Sequence, residues 1–256
     1  MAMRAARTGE DPKIRRFSPA RILEHWVGML TFTTLVVTGL SQKFSEWTIC
    51  QAVVLNLGGI DTVRLIHRYA GIVFALALLL HMAAGIEGFL MRRWPASMMI
   101  NRKDFLDAVQ NLRYYFGLSD HTAYCDRYDY KQKFEYWGVI LGGILMAVTG
   151  FALWFPTTVT RFLAGELIPV AKALHSNEAL MAFLVIAIWH IYNAMFSPEV
   201  FPLDTSIFTG TITRKRMVHE HPVELARMEN RKLEDILRQA PGTTPGDGDG
   251  RSEASG

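Results

Sequence analysis

The 256-residue sequence is 50% hydrophobic and carries a formal charge of only +3, too small a surplus to imply nucleic-acid binding. Its mean hydropathy of +0.14 averages long apolar blocks with strongly charged connectors, a pattern that argues against a soluble core and for a membrane protein with polar ends.

In chain order, residues 1–21 are basic and polar with no apolar centre, so no cleavable signal peptide is expected and this stretch reads as a cytoplasmic segment. Four apolar blocks follow at about 22–40, 66–91, 134–155 and 174–196. Each approaches the ~20 helical residues that a bilayer requires. The first connector includes the largely apolar stretch 47–59, ending Gly58-Gly59, which reads as interfacial or partly re-entrant, or as a cap over a membrane site. In the central connector Phe105, Val109, Leu112 and Phe116 recur at helical spacing, the mark of an amphipathic helix on a membrane or protein surface. After Ser-Pro and Phe-Pro breakers, residues 222–239 have the composition of a charged helix, and the tail from 241 that of a disordered segment. The expectation is an all-α integral membrane four-helix bundle over 22–197, a C-terminal segment over 198–240 with one short helix, and a tail over 241–256.

The basic residues give the orientation. The N-terminal segment has Arg4, Arg7, Lys13, Arg15, Arg16 and Arg21, the central connector eight basic residues from Arg92 to Lys133, and the C-terminal segment Arg214, Lys215 and Arg216. The other connectors offer Lys43 and Arg64, and Arg161 and Lys172. The positive-inside rule then places both termini and the central connector in the cytoplasm. Cys50 and Cys125 fall on opposite faces, so no disulfide between them is expected.

Five histidines lie within these apolar blocks: His25, His67, His81, His175 and His190. Intramembrane ionisable residues mark functional sites by default. At 1.5 Å per residue, His81 lies about 21 Å deeper than His67, and His190 about 22 Å deeper than His175. Two layers result. The outer one holds His67 and His175, a single bis-imidazole pair; the inner one holds His25, His81 and His190, one more than a haem needs. Bis-histidine ligation saturates iron and favours electron transfer over oxygen chemistry. Without a Cys-x-x-Cys-His motif, any haem is held non-covalently. Gly28 and Gly71 offer room for a porphyrin or a close helix contact, while Arg64, Arg68 and Lys172 outside and Arg21 inside are propionate partners or interfacial anchors. His121, His219 and His221 read as solvated loop residues.

Arg21-Ile-Leu-Glu-His25-Trp26, Arg64-Leu-Ile-His67-Arg-Tyr-Ala-Gly71, Tyr128-Asp129-Tyr-Lys131-Gln132-Lys133, the third-span set Trp137, Thr149-Gly150 and Trp154, and His175 followed by His190-Ile-Tyr192 stand in one order. Over about residues 15–220 this set resembles the formate dehydrogenase gamma subunit family, which belongs with the b-type subunits of nickel–iron hydrogenases. The resemblance implies two haem b groups, an outer one on His67 and His175 and an inner one on His25 and His190. His81 departs from the family pattern; it is open as an alternative ligand, a propionate or quinone-pocket residue, or a histidine bonded to a helix carbonyl. A cytoplasm-side quinone site (menaquinone or ubiquinone) with Asp129, Gln132 and Lys133 as candidates is likewise implied, although Asp129 and Lys131 replace the family's asparagine and glycine.

The function expected is a respiratory electron-transfer subunit in a bacterial-type inner membrane. It links an iron–sulfur subunit or multihaem cytochrome c on the outer face, and the catalytic subunit of a larger complex, to the quinone pool. The chain shows no molybdenum, nickel or iron–sulfur motif of its own. The alternatives are a metal-ion transporter, disfavoured because the recognised span carboxylates Glu24, Glu87 and Glu178 lie near span ends, and a haem-free membrane anchor.

Overall fold

The computed structural model describes residues 11–92, 96–197 and 200–239; the tail from 241, Arg4, Arg7 and Arg93 lie outside them. The elements are β1 (Lys13–Arg15), α1 (Pro19–Lys43), α2 (Thr48–Asn56), α3 (Ile60–Leu90), α4 (Arg102–Tyr115), α5 (Tyr130–Trp154), α6 (Pro156–Val159), α7 (Leu167–Phe196), α8 (Ser206–Thr209), β2 (Thr211–Thr213), α9 (Arg214–Glu220), α10 (Pro222–Met228) and α11 (Leu233–Leu237). Four of them, α1, α3, α5 and α7, are long and apolar enough to cross a membrane, with 25, 31, 25 and 30 residues. The fold is the expected all-α membrane type. Large side chains such as Leu80, Leu90, Phe134 and Ile188 are exposed on these helices, as lipid-facing residues are.

Three of the spans begin four to seven residues ahead of their apolar blocks, and the first three residues ahead, because caps rather than hydropathy set helix ends. Ser18 accepts from the Arg21 amide and Pro19 occupies the first turn of α1. Gly58 and Gly59, at φ of 91° and 97°, break the chain between α2 and α3 where a side chain would be strained. At α5, Asp129 Oδ1 accepts from the Gln132 amide at 2.7 Å and Gln132 Oε1 accepts from the Asp129 amide at 3.2 Å, a reciprocal capping box. The apolar stretch of the first connector forms α2, with Ile49 and Leu55 exposed.

The chain divides into two compact units. The described residues of the first are 11–16, Ser97–Lys133 and 211–239. Three segments far apart in sequence thus fold together. β1 and β2 pair antiparallel with Ile14 opposite Ile212, over a small core of Ile212, Met217, Val218, Leu225, Ala226 and Ile236. Glu224 is the hub: it accepts from Arg16 at 3.3 Å and Arg127 at 2.6 Å, and the two arginines each donate to the other's carbonyl at 2.8 Å. Lys133 donates to both oxygens of Asp104 at 2.8 and 3.0 Å, a buried pair that fastens α4 to the first turn of α5. Breaking such a pair by removing one partner costs about 3–5 kcal/mol. Phe105, Val109 and Leu112 of α4 and Phe116 at its C-cap remain exposed, the expected amphipathic stripe.

Two expectations are corrected here. Residues 222–239 form no single helix: α10 ends at Met228 and Asn230 turns left-handed at φ 52° before α11 starts at Leu233. His221 is buried rather than solvated, its Nδ1 2.7 Å from the Asp126 carbonyl, because the central connector folds over it. Neighbouring Cys125 is pushed well up from the usual thiol range, by burial first and the Asp129 charge second, and both cysteines are free.

The second unit, Phe17–Ala96 and Phe134–Gly210, holds the four spans. Gly143 of α5 admits Leu78 and Phe74 of α3; a methyl group there would meet them at 2.9 and 3.4 Å. Gly142 does the same for Glu178 of α7, at 2.8 Å.

Candidate functional site

All four spans contribute to the outer layer. His67 of α3 and His175 of α7 have ring centres 6.3 Å apart and planes at 74°. His67 Nδ1 lies 2.8 Å from Thr38 Oγ1 on α1, and His175 Nδ1 lies 2.9 Å from Thr149 Oγ1 on α5. Neither Nε2 has a protein hydrogen-bond partner among the described residues. Each ring rests on a glycine next to its threonine: a Cβ on Gly39 would meet His67 Cε1 at 3.3 Å, and one on Gly150 would meet His175 Cε1 at 3.2 Å.

The three inner histidines differ sharply. His81 is fully engaged, with Nδ1 at 2.8 Å from Arg21 Nη1 and 3.1 Å from Glu24 Oε2, and Nε2 at 3.0 Å from the Tyr136 hydroxyl. Its partners are side chains of α1 and α5, not a helix carbonyl. Arginine only donates, so Nδ1 accepts and the Nε2 hydrogen goes to Tyr136. His190 Nδ1 lies 2.6 Å from Glu135 Oε1. Among the described residues, buried His25 Nδ1 has no hydrogen-bond partner, and its ring packs T-shaped against Phe208 with centres 5.7 Å apart. Buried polar atoms are rarely left so unless something else bonds them.

The last span widens around His190. Residues Val185–His190 and Tyr192–Phe196 are π-helical, and Ser197 N reaches back to Tyr192 O at 2.9 Å. A π turn takes one residue more than an α turn and tends to mark function. It absorbs the extra residue that separates His175–His190, fifteen apart, from His67–His81, fourteen apart. A repeat emerges: Glu24, Thr38-Gly39, His67 and His81 in one helix pair match Glu135, Thr149-Gly150, His175 and His190 in the other. The recurrence of Glu fourteen residues before Thr-Gly was the available sequence signal for Thr38, Gly39 and Glu135, which composition and hydropathy miss.

The remaining candidates have defined surroundings. Arg64 pairs with Asp61 at 3.5 Å in an exposed position, and Arg68 lies over the Trp154 ring at 5.4 Å. Asp129, Gln132 and Lys133 belong to the first unit, where they cap α5 and hold Asp104. Among the described residues, no three or more metal-ligating side chains cluster.

The model of the family described as prokaryotic cytochrome b561 matches residues 15–210. The chain belongs to this family. A cytochrome b556(fdo) subunit of formate dehydrogenase from Escherichia coli K12 is 26% identical over 212 residues, 83% of this chain and 91% of that protein. The nitrate-inducible formate dehydrogenase cytochrome b556(Fdn) subunit of the same strain is 23% identical over 175 residues, 64% and 73% of the two chains. This cytochrome b is therefore a multi-pass membrane electron-transfer subunit, and family membership displaces the metal-transporter reading.

The residues fit the b-type haem that the family implies. Two imidazoles from different spans, each tied at Nδ1 and unpartnered at Nε2 among the described residues, are the donor set such an iron would take. The outer rings stand 6.3 Å apart. Along α3 a Cβ on Gly71, four residues after His67, would meet only Leu35, at 3.9 Å, and along α1 one on Gly28, three residues after His25, would meet nothing within 4 Å.

Proposed function

We propose that this chain is a di-haem cytochrome b that carries electrons across the membrane between an outer-face redox partner and the quinone pool. His67 and His175 hold the outer haem, and His25 and His190 the inner one. The spacing of the outer rings, with both Nδ1 atoms tied to threonines and both Nε2 atoms free, is the observation that carries this reading. At the inner layer, the partnerless nitrogen of His25 and the doubly engaged ring of His81 favour His25 as the ligand. Bound at two bis-imidazole sites, haem supplies one-electron exchange at an iron with no open position for oxygen.

Both termini and the central connector face the cytoplasm, in keeping with the basic residues they carry. The similar cytochromes are formate dehydrogenase subunits. By that likeness this chain anchors a catalytic subunit through an iron–sulfur or multihaem c-type protein on the outer face. The quinone site lies toward the cytoplasmic side. Its protons have a route in the imidazole and phenol groups of His81 and Tyr136, which share a hydrogen bond, with the Glu24 carboxylate beside them on Arg21. Asp129, Gln132 and Lys133 act as helix-capping and pairing residues at the start of α5.

Anaerobic addition of a naphthoquinol or ubiquinol analogue to the purified protein tests the quinone link. The α-band of reduced b-type haem should rise. A spectrum that responds to dithionite and to neither quinol contradicts it.

A further inference from the structure

The two outer histidines are held by the same device on different helices. Thr38 Oγ1 donates to the Thr34 carbonyl at 2.6 Å, and Thr149 Oγ1 to the Leu145 carbonyl at 2.7 Å. A hydroxyl has one hydrogen and a carbonyl only accepts. With that hydrogen spent, each hydroxyl receives the Nδ1–H of its histidine, at 2.8 and 2.9 Å. The lone pair is thereby confined to Nε2. The adjoining Gly39 and Gly150 let each ring press against the neighbouring helix, with Cε1 3.3 and 3.2 Å from where a Cβ would stand. The hydroxyl thus fixes the tautomer and the glycine limits ring rotation. Packing alone gives no reason for both halves of the bundle to share this pairing.

We propose that Thr38-Gly39 and Thr149-Gly150 are matched positioning elements of the outer haem site. They present Nε2 of His67 and His175 to the iron, set the angle between the two ring planes, and strengthen both imidazoles as donors. A second partner that fixes tautomer and orientation in this way tunes a metal site without touching the metal. A hydrogen bond from Nδ1 leaves the ring richer in electrons and stabilises ferric over ferrous iron. The inner site is built differently, with a carboxylate at His190 and no partner at His25. The proposal rests on His67 and His175 being the outer ligands.

Thr38→Val and Thr149→Val, singly and together, remove the acceptor at nearly constant volume, and Thr→Ser restores it. Haem per chain, a redox titration and the low-temperature EPR spectrum are measured on the purified protein. The valine variants should keep two haems, with the outer midpoint potential moved positive and its EPR signal shifted, the inner haem unmoved and serine returning both values. Gly39→Ala should shift the outer EPR signal alone. Valine variants with unchanged potential and EPR overturn the proposal. So does loss of the outer haem in the serine variants as well as the valine ones, which makes the position a packing contact. If His67→Ala retains both haems, the ligand assignment fails instead, whatever the threonines do.

Discussion

The His67→Ala protein is expected to carry one b-type haem per chain instead of two, and His175→Ala the same one. The two rings come from different spans and meet across 6.3 Å, so either substitution would leave one imidazole where the proposed site uses two. The inner layer, about 21 Å away along α3 by helical rise, keeps its own ligands and its haem. Electron flow between an outer partner and quinone should then fall to background while the inner haem still accepts electrons from quinol. Haem quantification on membranes with equal amounts of each variant checks this; two haems retained in either variant rules out the pair.

At the inner layer the two histidines of α1 and α3 should behave oppositely. His25→Ala is expected to lose one haem and His81→Ala to keep both. Both nitrogens of His81 are engaged by Arg21, Glu24 and Tyr136, and a ring so placed has no lone pair left for iron. Its removal leaves Arg21 and Glu24 paired at 2.6 Å and frees the Tyr136 hydroxyl from the ring. The expected loss is therefore in proton delivery to quinone, seen as slower haem reduction by quinol at unchanged haem content. His25 carries a buried nitrogen that the protein does not satisfy. The reverse outcome, haem lost in His81→Ala and kept in His25→Ala, assigns the ligand to His81.

The four spans were legible in the sequence because they follow from hydropathy and length. The pairing of His67 with His175 across two spans was legible from their positions within those spans. Partners on adjacent helices were not. Thr38 and Thr149 are ordinary residues within apolar runs, and only the packing of α1 on α3 and of α5 on α7 brings them to an imidazole. Glu135 escaped notice at the edge of its block, although it meets His190. The π turn at His190 depends on hydrogen bonds that no composition signals. In the first unit, three-residue strands are too short to show alternation, and the burial of Glu224 and His221 arises from segments about a hundred or more residues apart. Asp129 and Gln132 illustrate the opposite lesson: a motif shared with a family can mark the start of a helix as readily as a ligand pocket.

On the proposed assignment, four of the five intramembrane histidines hold two haems in separate layers. Pyridine haemochrome analysis of the purified chain, combined with a potentiometric titration of its reduced-minus-oxidised spectrum, tests it most directly. Two b-type haems per polypeptide, titrating as two components, is the result this account predicts; a single haem, or none, contradicts it.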